Sequence, residues 1–108
     1  MTTPVRVAVL SFAHYHATFW TEVFKASPLA TLTAVWDDDH ARGRAAAATH
    51  GAHFEPDLHT VLAGSDAVAI CSETARHAAL IERAARAGCD ILCEKPLAAS
   101  LEIGRAHV

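Results

Sequence analysis

None of the five glycines in this 108-residue chain falls before Gly43. A glycine-built turn in the first forty positions is therefore excluded, and any tight turn there rests on other residues. Cysteine is scarce and odd in number. Cys71, Cys89 and Cys93 form no C-x-x-C, which excludes a disulfide framework and a zinc ribbon and fits reduced thiols in a cytosol. They read as small buried hydrophobes, Cys71 and Cys93 near the ends of neighbouring strands. Basic residues are not in excess: the net charge is -3 and the pI near 6.2, so there is no footprint for nucleic acid. No apolar run approaches the ~18 residues of a membrane span. Met1-Thr2-Thr3-Pro4-Val5-Arg6 has neither a charged n-region nor a long apolar h-region after it. The expectation is a cytoplasmic protein, mature from Met1, that binds neither nucleic acid nor membrane. There is no internal repeat, linker or low-complexity tract.

What is present is ample apolar material, 52% of the residues, enough for one packed domain over 1–108. It is arranged as strands alternating with helices. Val5–Leu10 is a β-branched first strand. Phe19, Trp20, Val23 and Phe24 recur at helical spacing and Ser27-Pro28 stops that helix. Leu32–Trp36 is a second strand ending on Asp37-Asp38-Asp39. Ala41–His50 is an alanine-rich helix with Gly51 as its C′ residue. Ala52–Glu55 is a short third strand. Pro56-Asp57 opens a brief helix closed by Gly64, and Ala67–Cys71 is the fourth strand. Arg76–Ala87 is a helix with Gly88 at C′, Asp90–Cys93 the fifth strand, and Ser100 the N-cap of a last helix. This succession predicts a Rossmann-like, doubly wound parallel sheet of order 3-2-1-4-5.

In such sheets ligands sit at the carboxyl ends of the strands. The first strand-to-helix loop is Ser11-Phe12-Ala13-His14-Tyr15-His16. A dinucleotide fold normally carries G-x-G-x-x-G here, and Ser11, Ala13 and His16 take the three glycine places. Ser11 can turn and donate to a phosphate, and Ala13 adds one methyl where a pyrophosphate would approach. His16 forces the helix to stand off or its own ring to turn outward. Helix N-terminal N–H groups remain suited to an anion. His14 and His16 could chelate a metal on an extended segment but diverge on a helix. No third ligand has matching spacing among His40, His50, His53, His59, His77 and His107, so no metal is assigned. Asp37 is placed to bind the ribose hydroxyls of NAD, and three consecutive acids would repel a 2′-phosphate, favouring NAD over NADP. Arg42 and Arg44 keep that choice open, and a plain acidic helix start is the alternative. Ser72, Glu73 and His77 follow the fourth strand and face the cleft, although Thr74 and His77 are also ordinary helix-start residues. After the fifth strand comes Glu94-Lys95-Pro96: a Lys able to hydrogen-bond a substrate hydroxyl and assist proton transfer, a carboxylate to hold it, and a proline fixing the backbone.

Taken in order, these segments resemble the N-terminal half of the Gfo/Idh/MocA oxidoreductases. The matching text is Val5–Leu10, Ala34-Val35-Trp36-Asp37, Asp66–Cys71 through His77, Ala84-Ala85-Arg86-Ala87-Gly88, and Cys93-Glu94-Lys95-Pro96-Leu97-Ala98. The resemblance implies NAD(P) bound by Ser11, Phe12, Ala13, His14, Asp37, Ser72, Glu73, His77, Glu94, Lys95 and Pro96. It also implies Lys95 as the catalytic residue near nicotinamide and carbinol, in oxidation of a secondary hydroxyl of a sugar, cyclitol or related compound. The family's second, mixed α/β domain would supply substrate contacts and most of a homo-oligomer interface. The expectation is that this chain is its cofactor part, cut after the fifth strand, inactive alone and left with an exposed apolar edge. Two departures stand against it: the missing glycines and the missing second domain. The competing functions are a non-catalytic sensing or partner-binding module and a histidine-rich metal binder.

Overall fold

The computed structural model describes residues 3–94. β1 (Val5–Leu10), β2 (Ala30–Trp36), β3 (Ala67–Ile70) and β4 (Asp90–Cys93) form one parallel sheet of order β2-β1-β3-β4. The helices are α1 (His16–Ala26), α2 (His40–His50), α3 (Leu58–Ala63) and α4 (His77–Arg86), the last preceded by a 3₁₀ turn over Thr74–Arg76. Among the described residues no helix is long and apolar enough to cross a membrane. The expected order is present, with one element reduced. The third strand of the sequence reading survives as a single parallel bridge between Phe54 and Val35, outside β2. Val35 N–H donates to His53 O at 2.8 Å and Glu55 N–H to Val35 O at 3.0 Å. The ladder then meets Pro56, which has no N–H to give.

Strand alternation sends successive side chains to opposite faces. Ala8, Leu10, Val68 and Ile70 meet Leu58, Val61 and Leu62 of α3 and Leu80 and Ala84 of α4. Val9, Val35, Ala69 and Cys71 meet Ala17 of α1 and Ala47 of α2, with Phe12, Trp20, Phe24 and Phe54 around them. Each fully buried Leu, Ile or Val contributes about 1.5–3 kcal/mol. Both faces of the central strands β1 and β3 are covered, which suits their apolar runs, whereas Leu92 of β4 stays exposed. Thr33 is skipped by the β1–β2 register, and its hydroxyl donates to Val7 O at 3.1 Å.

The helix ends follow local chemistry. Asp39 caps α2 by accepting from Arg42 N–H, and Asp57 caps α3 by accepting from Thr60 N–H. Gly51 and Gly88, both foreseen as C′ residues, have φ of 63° and 82°. In α1 the packing departs from its broad apolar stripe. Ala17 and Thr21 are the residues buried against the sheet, while Phe19 is 58% exposed and Val23 is also on the outside. Small side chains let the helix close on β1, and Thr21 satisfies its hydroxyl on Ala17 O at 2.7 Å.

Candidate functional site

The chain reverses direction across the sheet between β1 and β3, which makes their carboxyl ends the switch point where such sheets hold ligands. Four segments are tied together there. Ser11 N–H donates to Trp36 O, His14 N–H to Cys71 O, and Glu94 N–H to Ile70 O. The first loop, the end of β2, the turn after β3 and the residue after β4 thus share one rim.

Ser11 has φ of 78°, the left-handed region that a glycine normally supplies. It is buried, and its Oγ accepts from Ala13 N–H at 3.1 Å, which holds the turn. The turn demanded by a dinucleotide loop is therefore made without glycine. His16, at the third glycine place, turns its ring outward to Glu94, and Ala17 takes over the close contact with the sheet. His14 Nδ1 accepts from His16 N–H at 3.1 Å. The acceptors on Ala13 and His16 are thus side-chain atoms, which a phosphate oxygen can replace one for one. The rim fits a dinucleotide in this respect.

Asp37 lies at the end of β2 as expected but is wholly buried. Arg42 clasps it from Nε at 2.7 Å and Nη2 at 2.8 Å, and it also accepts from Phe12 N–H and Asp39 N–H. Burial pushes this carboxyl up, but Arg42 and the two N–H groups outweigh it and hold the group below the usual carboxylate range. The same ion pair raises the Arg42 guanidinium above its ordinary value. Asp38 is paired with Arg76 at 2.8 Å, and Arg42 lies 3.8 Å from Glu73. The ribose end of the rim is therefore an acid–arginine lattice rather than a bare carboxylate. Arg42 and Arg76 are functional candidates that the acid-centred reading did not assign. The i,i+5 spacing of Asp37 and Arg42 was the available signal.

Ser72 and Glu73 occupy the turn after β3, with Ser72 buried and its Oγ donating to Glu73 O at 3.1 Å. His77 is almost wholly buried, with Nε2 at 3.0 Å from Ser72 O. It holds the backbone of that turn from beneath. Cys71 and Cys93 sit beside it. Burial, helped by Glu94, pushes their thiols up to about 12 and about 11, which disfavours the thiolate at neutral pH.

Glu94 is the last described residue, with a side chain 11% exposed. Its Oε1 lies 2.6 Å from His16 Nδ1 and accepts from Trp20 Nε1 at 3.2 Å. The sequence reading placed Trp20 only on the apolar stripe of the first helix; its pairing with a residue 74 positions away leaves no local signal. Beside this group a pocket of 560 Å³ is lined by Tyr15, His16, Thr18, Phe19, Trp20 and Glu94. Lys95 and Pro96 lie outside the described residues, as does the helix expected from Ser100.

Known proteins share this architecture. An inositol 2-dehydrogenase from Rhizobium meliloti (strain 1021) is 45% identical over 78 residues, covering 71% of this chain and 24% of the relative. An inositol 2-dehydrogenase 1 from Saccharopolyspora erythraea is 44% identical over 75 residues, 66% of this chain and 22% of the relative. Among solved structures, UDP-N-acetylglucosamine 3-dehydrogenase from Acidithiobacillus ferrooxidans superposes with a TM-score of 0.86 at 30% identity, over 97% of this chain and 34% of that one. The structure of a putative myo-inositol dehydrogenase from Sinorhizobium meliloti 1021 gives 0.83 at 36% identity, over 94% and 31%. The chain thus spans a quarter to a third of the length of the proteins it matches. The family described as "Oxidoreductase family, NAD-binding Rossmann fold" matches residues 5–108, and this chain belongs to it: it is a member of the Gfo/Idh/MocA oxidoreductases.

Proposed function

We propose that the chain forms the cofactor-binding part of an oxidoreductase that passes hydride between NAD(P) and a secondary hydroxyl of a sugar, cyclitol or similar polyol. One observation carries the reading. The loop after β1 makes the left-handed turn of a dinucleotide site, at Ser11, although it contains no glycine. Ser11, Phe12, Ala13 and His14 form the pyrophosphate loop. Ser72 and Glu73 form the opposite wall, with His77 fixing their backbone. Asp37 acts on the ribose through Arg42, which it orients, and Asp38 offers a carboxylate beside it. Asp37, Asp38, Asp39 and Glu73 outnumber Arg42 and Arg76, so a 2′-phosphate meets a net acidic rim and NAD is preferred.

The bound nicotinamide supplies the hydride acceptor. In this reading Lys95 hydrogen-bonds the reacting hydroxyl, Glu94 holds its amine, and Pro96 restricts the chain through its fixed φ. In an enzyme that carries this chain as its cofactor part, Lys95→Ala lowers kcat by about 10²–10⁴-fold.

The test is titration of the folded chain with NADH and NADPH, read by nicotinamide fluorescence and calorimetry. The expected result is saturable binding in the micromolar-to-millimolar range, tighter for NADH. Binding of neither by a chain with intact circular dichroism overturns the cofactor reading in favour of a non-catalytic module. NADPH binding as tight as NADH overturns the preference alone.

A further inference from the structure

His14, His16 and Glu94 each bring one ligand atom into a single cluster, all within 4.8 Å of one another. Nothing in their spacing announces this, because Glu94 is 78 positions from His16. Two facts of the fold produce it. His14 precedes α1 and His16 begins it, so the i,i+2 pair lies across the helix start, with ring centroids 4.8 Å apart, rather than diverging along the helix. β4 ends beside β3, and Glu94 N–H bonds to Ile70 O, which fixes the carboxylate over the same loop.

We propose that His14, His16 and Glu94 bind a divalent first-row transition cation of the zinc type. Two imidazoles and one carboxylate suit such an ion and are a poor match for magnesium or calcium, which take oxygen. With bonds of about 2.1 Å, the ligand atoms of a tetrahedral site stand about 3.4 Å apart. The present spread brackets that value, between the 2.6 Å His16–Glu94 contact and the 4.8 Å limit, and side-chain rotation closes it. The cation replaces the proton shared by His16 Nδ1 and Glu94 Oε1. Trp20 Nε1, donating to Glu94 from a third direction, orients the carboxylate as outer-shell partners of metal ligands do. Three protein ligands leave at least one position open, and the pocket lined by Tyr15, Phe19 and Trp20 adjoins the cluster and gives that position access to water or a small ligand. The inference does not depend on the cofactor reading.

The experiment is calorimetric titration of the chelator-stripped full chain with Zn²⁺, and with Co²⁺ read by its visible ligand-field bands. The expected result is one equivalent bound, with Co²⁺ bands of nitrogen-ligated, low-coordinate metal. His14→Gln and His16→Gln each weaken binding by about 100-fold or more, and Trp20→Phe by about tenfold. His53→Gln and His59→Gln leave it unchanged. Both cluster histidines are partly exposed, so their variants keep the fold, which circular dichroism of the metal-free proteins verifies. Absence of saturable binding by the folded wild type overturns the proposal. So does a Co²⁺ spectrum of an all-oxygen octahedral ion, or binding that survives His14→Gln and His16→Gln together. In each of those cases the cluster is an ordinary histidine–glutamate ion pair.

Discussion

Asp37 and Glu94 are both acids that end a strand on the same rim, yet the fold treats them differently. Asp37 ends β2, is wholly buried, and is saturated by Arg42 and two backbone N–H groups from nearby sequence. Glu94 ends β4, keeps some exposure, and is held by His16 and Trp20 from the far end of the chain. The first is a locked charge that shapes the loop and orients an arginine. The second is held by an imidazole and an indole N–H that only the tertiary fold brings to it. An acid at a strand end is thus a scaffold or a ligand according to what the tertiary fold sets against it.

Arg42→Ala breaks the locked end with the largest effect. It strands the buried Asp37 carboxylate without its cation. Arg42 is one-third exposed, which screens the loss to about 2–3 kcal/mol, measured by urea unfolding. Recovery of part of that loss in Arg42→Ala/Asp37→Asn sharpens the point; no recovery breaks it. Gly43→Ala comes next. A Cβ there meets the Phe54 ring and approaches Asp37 Cβ at 3.0 Å, so the Phe54 ring or α2 itself must shift. The expected cost is about 1–3 kcal/mol, and a melting temperature equal to wild type contradicts this close approach.

Acid titration isolates the charge. The folded Asp37 carboxyl sits below its unfolded value of about 3.9. Its stabilisation is complete above that pH and is lost as pH falls through the lower folded value. Asp37→Asn is therefore less stable than wild type at neutral pH, and the gap narrows below about pH 4. A constant gap down to pH 2 would mean that the carboxylate charge is not what matters. At the other end, Glu94→Gln costs only about 1 kcal/mol, because one partner is a half-exposed histidine. A loss as large as that of Arg42→Ala would erase the contrast. Smallest is Ser11→Gly. Relief of the left-handed strain opposes loss of the Ser11 Oγ bond to Ala13 N–H, for a net change within about 1 kcal/mol.

Much of the fold was legible because the forces that set it are short in range. The strand–helix alternation, the Asp57 cap, the stop at Ser27-Pro28 and the C′ roles of Gly51 and Gly88 each depend on a few neighbouring residues. The position of Asp37 at the end of β2 and of Glu94 after β4 follows from counting those elements. The candidate site was less legible. That Ala17 and Thr21 face the sheet rather than Phe19 and Val23 depends on how closely α1 approaches β1. That Ala52–Glu55 pairs through one bridge depends on Pro56 meeting the edge of β2.

By itself, then, the sequence determined the strands and helices apart from the reduced third strand, their order in the sheet, and the acids and histidines near its carboxyl rim. Local dihedral preference and apolar periodicity are enough for that. Only the tertiary structure decided what those side chains face: Arg42 closed over Asp37, and His14 and His16 gathered with Trp20 around Glu94. The physical reason is distance along the chain. A carboxylate's partner 74 or 78 residues away is chosen by sheet pairing and helix packing, which no local pattern encodes.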